Sequence, residues 1–152
     1  MIKDHDYFMS LALKEAKKAA LKDEVPVGAV IVLGDKVISK AYNKRVLKEQ
    51  THAHAEMLAI EKANKKLGSW RLEDCKLYVT LEPCPMCAGA IIQSRIKTLV
   101  YGAKDPKGGV AGSVINLFDI KFNHKVEVIG GILEDACSNE LKQFFKGLRI
   151  KS

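Results

Sequence analysis

Two short segments constrain this chain most: His54-Ala55-Glu56, and Pro83-Cys84-Pro85-Met86-Cys87. One imidazole and two thiolates make a plausible tetrahedral zinc site with its fourth position open. No fourth protein ligand is spaced nearby, and an open position favours catalysis over a structural site. A lone C-x-x-C in an intracellular chain reads equally as a redox pair, and a lone H-x-E recurs by chance. Together, each following strand-like sequence and opening a helix, they point to one metal centre.

The local chemistry supports that reading. Helix N-termini carry partial positive charge, which helps to keep Cys84 and Cys87 deprotonated. Metal coordination does more, since it deprotonates a thiol outright. Two thiolates and a neutral imidazole cancel the charge of a zinc ion. Such a zinc acidifies its water less than an all-histidine site does, so a carboxylate base becomes useful. Glu56 follows His54 closely enough to reach the bound water without binding the metal.

The surrounding pattern predicts an α/β chain. Phe8, Leu11, Ala12, Ala16 and Ala19 recur at helical spacing between His5 and Leu21. The β-branched run Val25–Val32, the turn Gly34-Asp35 and the run Val37–Tyr42 predict a hairpin. A polar stretch from Asn43 to Thr51 leads to a helix from about Ala53 to Leu67, ended by Gly68. Next come a strand at Leu77–Leu81, a helix from Met86 to about Ser94 and a strand at Thr98–Tyr101. A Gly-rich loop at Asp105–Ser113, a strand at Val126–Ile129 and a helix at Glu134–Leu148 complete the order. Strands alternating with helices predict a three-layer α/β/α sandwich, and the hairpin makes its central sheet of about five strands mixed.

The 152 residues suit a single domain, 1–152, and 47% hydrophobic residues suffice for a core without disulfides. No stretch reaches membrane-spanning length, and Met1–Glu15 lacks the apolar run of a signal peptide, which predicts a cytoplasmic protein. Cys75 and Cys137 read as buried free thiols, and His5 and His124 as ordinary histidines. The net charge of +7 favours an anionic partner such as nucleic acid, although a merely soluble basic protein has the same balance.

His54-x-Glu56 followed by Pro83-Cys84-x-x-Cys87 resembles the signature of the zinc deaminases, and its spacing selects His54 over the neighbouring His52 as ligand. The resemblance extends along nearly the whole chain to the bacterial tRNA-specific adenosine deaminases of the cytidine deaminase superfamily, which make inosine at the anticodon wobble position. It rests on Glu24–Val30, Asn43, Ala53–Glu56, Trp70-Arg71-Leu72, Leu77–Cys84, Met86–Gly89 and Ser94-Arg95-Ile96. It continues through Tyr101-Gly102-Ala103, Gly112-Ser113, Phe122-Asn123-His124, Phe144-Phe145 and Arg149. Two departures stand out: Thr51-His52 where the family usually has Pro-Thr, and Pro85 where Val is often found.

The resemblance implies a cytidine deaminase-like fold, one zinc per subunit, a homodimer and a tRNA substrate with adenine at the wobble position. It implies that Glu56 moves protons while His54, Cys84 and Cys87 hold the metal. Asn43 resembles the residue that hydrogen-bonds the flipped base, and Ala55 the one whose backbone N–H meets the base edge. Val27 and Pro83 resemble pocket walls, and Asp105, Lys107, Phe145 and Arg149 match positions near the anticodon-loop groove. Simpler readings stand beside these: Asn43 as a turn cap, Val27 and Phe145 as core, Lys107 and Arg149 as solvated charges. Two rival functions also remain open, a deaminase of small bases or nucleotides and a zinc-stabilised RNA-binding module.

Overall fold

The computed structural model describes residues 4–151, with the side chains of 149–151 outside the description. Helix α1 spans His5–Leu21 and is capped by Asp4, whose carboxylate accepts the Tyr7 N–H. Its buried stripe holds the predicted Phe8, Ala12, Ala16 and Ala19, with Met9 and Glu15 buried beside them and the predicted Leu11 only half-buried. The small alanines let α1 approach the sheet closely. At Gly28, where strand β1 (Gly28–Leu33) begins, a methyl group would overlap the Ala12 carbonyl and the Ala16 N–H. Only glycine permits that approach.

Strand β2 (Lys36–Tyr42) returns antiparallel to β1. A one-turn helix α2 (Arg45–Lys48) interrupts the stretch read as a plain polar crossing. Helix α3 (Ala55–Leu67) ends at the predicted Gly68, which adopts φ 63°. Strand β3 (Cys75–Leu81), helix α4 (Pro85–Gln93) and strand β4 (Thr98–Ala103) follow, then a short 3-10 turn at Leu117–Asp119. Strand β5 (Glu127–Ile129) and helix α5 (Glu134–Lys151) complete the order.

The five strands are ordered β2-β1-β3-β4-β5. β1 is antiparallel to both β2 and β3, whereas β3–β4 and β4–β5 are parallel. The sheet is therefore mixed, as expected from a hairpin feeding βαβ units. Side chains alternate along β1: Ala29 and Ile31 join the core that includes Leu58, Ala59 and Ile91 of α3 and α4. Val30 and Val32 join the other core, with Phe8, Met9 and Cys137 of α1 and α5. Two helices thus cover each face. Cys75 and Cys137 are buried free thiols, as the sequence predicts. His5 pairs through Nδ1 with the Tyr78 hydroxyl at 2.7 Å, and His124 through Nε2 with the Ile96 carbonyl at 2.7 Å, so both serve the fold.

Candidate metal centre and pocket

His54 and Cys84 occupy equivalent places, each the N-cap of a helix in extended backbone (φ −76°, ψ 153° before α3; φ −78°, ψ 172° before α4). An N-cap side chain ordinarily accepts a bond from its own helix. Neither does so here. Their side chains converge instead with Cys87, one turn into α4. Nδ1 of His54 lies 3.7 Å from Sγ of Cys84 and 3.5 Å from Sγ of Cys87. Bonds of about 2.3 Å to sulfur and 2.0 Å to nitrogen in a tetrahedron require an S···N separation of roughly 3.5 Å, so the donors already match a zinc ion. Among the described residues, these three form the group of potential ligands that could hold a metal. Pro85 occupies the first turn of α4, where its missing N–H has no intrahelical role.

Protons follow from this crowding. The Cys84 thiol drops to about 4, because the Cys87 thiol hydrogen-bonds to it and the His54 ring adds its own bond against the cost of burial. Cys87, holding the shared proton and itself buried, is pushed far up. The Cys84 contact raises His54 despite burial. A divalent cation displaces those protons on binding, which makes its affinity pH-dependent. Glu56 is 4% exposed, and burial pushes its carboxyl up to about 7. That value suits a group which must both take and give a proton near neutral pH.

The site opens into a cavity at the end of the sheet. Val27, Asn43, His54, Ala55, Glu56, Cys84 and Asp105 line it. Seven residues predicted from sequence thus come together. Pro83 is buried between two lining residues but does not itself line the cavity. Cys87 sits beneath it, fully buried. Lys107 is exposed on the loop beyond Asp105. Phe145 borders a separate groove on α5 with Ser138, Leu141, Lys142 and Lys146. The Arg149 side chain lies outside the described residues. His52 is exposed and does not line the cavity.

Asn43 is both a turn residue and a pocket residue. Its Oδ1 accepts the Arg45 N–H at 3.1 Å, and its Nδ2 donates to the Val25 carbonyl at 3.2 Å. An amide retains one further N–H and one further lone pair after those bonds. Sequence reasoning passed over two other lining residues, Glu24 and Glu82, which are 1% and 2% exposed. Both fall inside segments already matched to the family, and both adjoin strongly apolar runs. An acid in that position hints at a buried carboxylate without disclosing its partners.

Comparisons with known proteins converge. Residues 3–149 match the family described as MafB19-like deaminase. The chain is 52% identical over 147 residues to the tRNA-specific adenosine deaminase of Bacillus subtilis (strain 168), covering 96% of this chain and 91% of that one. A structure from a study of A-to-I editing by tRNA:A34 deaminases at the wobble position superposes with a TM-score of 0.86 at 45% identity, over 89% of this chain and 99% of the other. A guanine deaminase from Nitrosomonas europaea shares the fold at 24% identity and a TM-score of 0.83, over 95% of this chain and 86% of that one.

Proposed function

The chain belongs to the family of tRNA-specific adenosine deaminases, and from that premise we propose how its residues convert adenosine to inosine at position 34, the wobble position of tRNA. The observation that carries the reading is the meeting of Nδ1 of His54 with two cysteine sulfurs at 3.5 and 3.7 Å, beside a buried glutamate, in a cavity bordered by loops. We assign residues 1–152 to a single zinc-dependent deaminase domain. His54, Cys84 and Cys87 hold one zinc, which when bound supplies an activated water for attack at C6 of adenine.

The protein's own groups do the rest. Glu56 would take the two protons of the attacking water in turn, passing the first to the ring nitrogen and the second to the amino group, which leaves as ammonia. Burial, which raises its carboxyl toward neutrality, suits it to both transfers. Ala55 is the first residue of α3, where N–H groups have no intrahelical acceptor, so its N–H is free to meet the base edge. Asn43 offers its remaining amide groups to the base and Val27 shapes a wall, while Pro83, which does not line the cavity, lies buried behind the lining residues Glu82 and Cys84. The wobble nucleotide must splay from the loop to reach this site. Asp105 and Lys107 extend the contact surface outward, Arg45 adds charge for stem phosphates, and the resemblance assigns Phe145, on its separate groove, and Arg149 to the same RNA contact. The tRNA substrate makes the cytoplasm the place of action. Among the described residues no helix is long and apolar enough to cross a membrane.

A homodimer belongs to the same reading. Val114, Ile115, Ile120 and Phe122, close together in the chain, are all about half exposed (53, 52, 52 and 49%), which supports an interaction face there. Phe122 borders a groove with Gly89 and Ile92 of α4, so the face runs along the helix that carries Cys87. Sedimentation at micromolar concentration distinguishes dimer from monomer. The functional test is to incubate the zinc-loaded protein with tRNA bearing adenine at the wobble position, then sequence the product. Inosine at that position alone is the expected result. Ammonia released from free guanine or cytosine, with tRNA untouched, would favour the small-substrate rival.

A further inference from the structure

Two buried carboxylates beside the cavity have no part in the chemistry described above. Glu82 lies between the end of β3 and the ligand Cys84. Its Oε1 accepts the Asp105 N–H at 3.1 Å and the Ser113 hydroxyl. Its Oε2 accepts the N–H groups of Ala111 at 2.8 Å and Ser113 at 3.1 Å. The loop wraps this carboxylate so closely that a methyl on Gly109 would overlap it. The flanking backbone is tied to the same loop, since the Val110 N–H donates to the Pro83 carbonyl at 3.0 Å.

Glu24 repeats the arrangement on the other rim segment. It follows α1, is 1% exposed, and accepts the N–H groups of Val46 at 3.2 Å and Leu47 at 2.6 Å. Those residues belong to α2, which together with Asn43 supplies Arg45 and Val46 to the cavity lining. The loop held by Glu82 supplies Asp105. Four residues of α2 cannot sustain a helix by themselves. The rim loop at 104–113 has no regular structure beyond an isolated bridge from Ala111 to Asn116. Both segments therefore need an external anchor to hold a defined shape.

We propose that Glu82 and Glu24 are positioning residues for the tRNA substrate, each fixing one rim segment of the pocket by gathering its backbone N–H groups onto a buried carboxylate. The role rests on the tRNA reading above. A charged acceptor is required because an amide cannot substitute: in a glutamine, the NH2 group would confront donors where the carboxylate accepts them. Loss of such bonds disorders the surface that receives the anticodon loop while the ligands, held by α3 and α4, stay in place. The effect therefore falls on KM and not on turnover.

The test compares wild type, Glu82→Gln, Glu24→Gln and Ser113→Ala as zinc-loaded proteins acting on an anticodon stem-loop with adenine at the wobble position. Each glutamine variant should raise KM by about tenfold or more, with kcat within about threefold of wild type and zinc still bound. Ser113→Ala removes one donor and leaves the buried carboxylate in place, so it should raise KM less, by about threefold. Should the glutamine variants fold poorly, Ser113→Ala decides for Glu82 and Glu24→Asp, which keeps the charge but shortens its reach to the Val46 and Leu47 N–H groups, decides for Glu24: an unchanged KM in both sinks the proposal. So does a parallel fall of kcat, zinc content and melting temperature in the glutamine variants with KM unmoved, which is what a purely structural role predicts. A wild type that leaves the wobble adenine intact would overturn the underlying reading, and the positioning roles with it.

Discussion

On the floor of the cavity, burial pushes the Glu56 carboxyl up to about 7. On the rim, Glu82 is as well shielded from solvent but lies nearer the surface, and its carboxyl moves down. Burial alone would raise it too, but the Ser113 hydroxyl and the N–H groups of Asp105, Ser113 and Ala111 outweigh that cost. One residue type thus serves two purposes. Few donors leave a glutamate close to neutrality, able to carry protons. Many donors keep it ionised and convert it into a fastener. The floor rides on α3, packed along the sheet, and on α4, which joins the same core through Ala88, Ile91 and Ile92. The rim is irregular chain held at points. Chemistry needs the first kind of support, and a surface that receives RNA tolerates the second.

The comparison breaks first, and most severely, at Glu56. Glu56→Ala should keep its zinc and lose turnover by about 10³-fold or more, since positioned acid–base groups contribute on that scale. Single-turnover inosine formation with saturating tRNA measures it. A variant that makes inosine at the wild-type rate would remove Glu56 from the proton path. Cys87→Ala attacks the same floor through the metal: elemental analysis should find zinc largely lost, and turnover lost with it. Stoichiometric zinc in that variant would take Cys87 out of the ligand set.

A smaller effect is expected on the rim. Arg45 lines the cavity and lies outside the metal cluster. Arg45→Ala should weaken tRNA binding a few-fold and reduce the slope of log K against log salt by about one, as for the loss of a single phosphate contact. The kcat at saturation should not change. An unaltered salt slope would mean that Arg45 meets no phosphate.

The same division decides what the sequence discloses. The proposed ligands are legible because His54-x-Glu56 and Pro83-Cys84-x-x-Cys87 match the zinc-deaminase signature, with His54 and Cys84 each capping a helix whose proline or terminal glycine is written into the chain. The sheet was legible because β-branched runs alternate between two cores. The β-branched run overstates β1 at its start: Val25, Pro26 and Val27 form a tight turn, with the Val27 N–H on the Val25 carbonyl at 2.9 Å, and the strand begins at Gly28. α2 was missed because four residues cannot display a helical period. Glu24 and Glu82 were missed as functional residues for a deeper reason. Their partners are backbone N–H groups, which every residue but proline possesses, so no side-chain pattern announces the pairing. Asn43 shows the reverse, since its turn and pocket roles were both readable and it performs the first while lining the second.

The smallest expected effect is also the one that separates the two glutamates by sign. Glu82 holds fewer protons folded than unfolded, so its contribution to stability is complete above its ordinary value of 4.5 and is lost as pH falls through its lowered value. Glu56, in the zinc-free protein, holds more protons folded than unfolded. Its penalty is absent below 4.5 and grows as pH rises toward about 7. Thermal unfolding of the chelator-treated protein between pH 3 and 8 should therefore give opposite trends for two isosteric changes. The advantage of wild type over Glu82→Gln should shrink on acidification below 4.5. The advantage of Glu56→Gln over wild type should appear only as pH rises between 4.5 and 7. Parallel curves for the two variants would mean that floor and rim share one environment, and that donor count does not divide their roles.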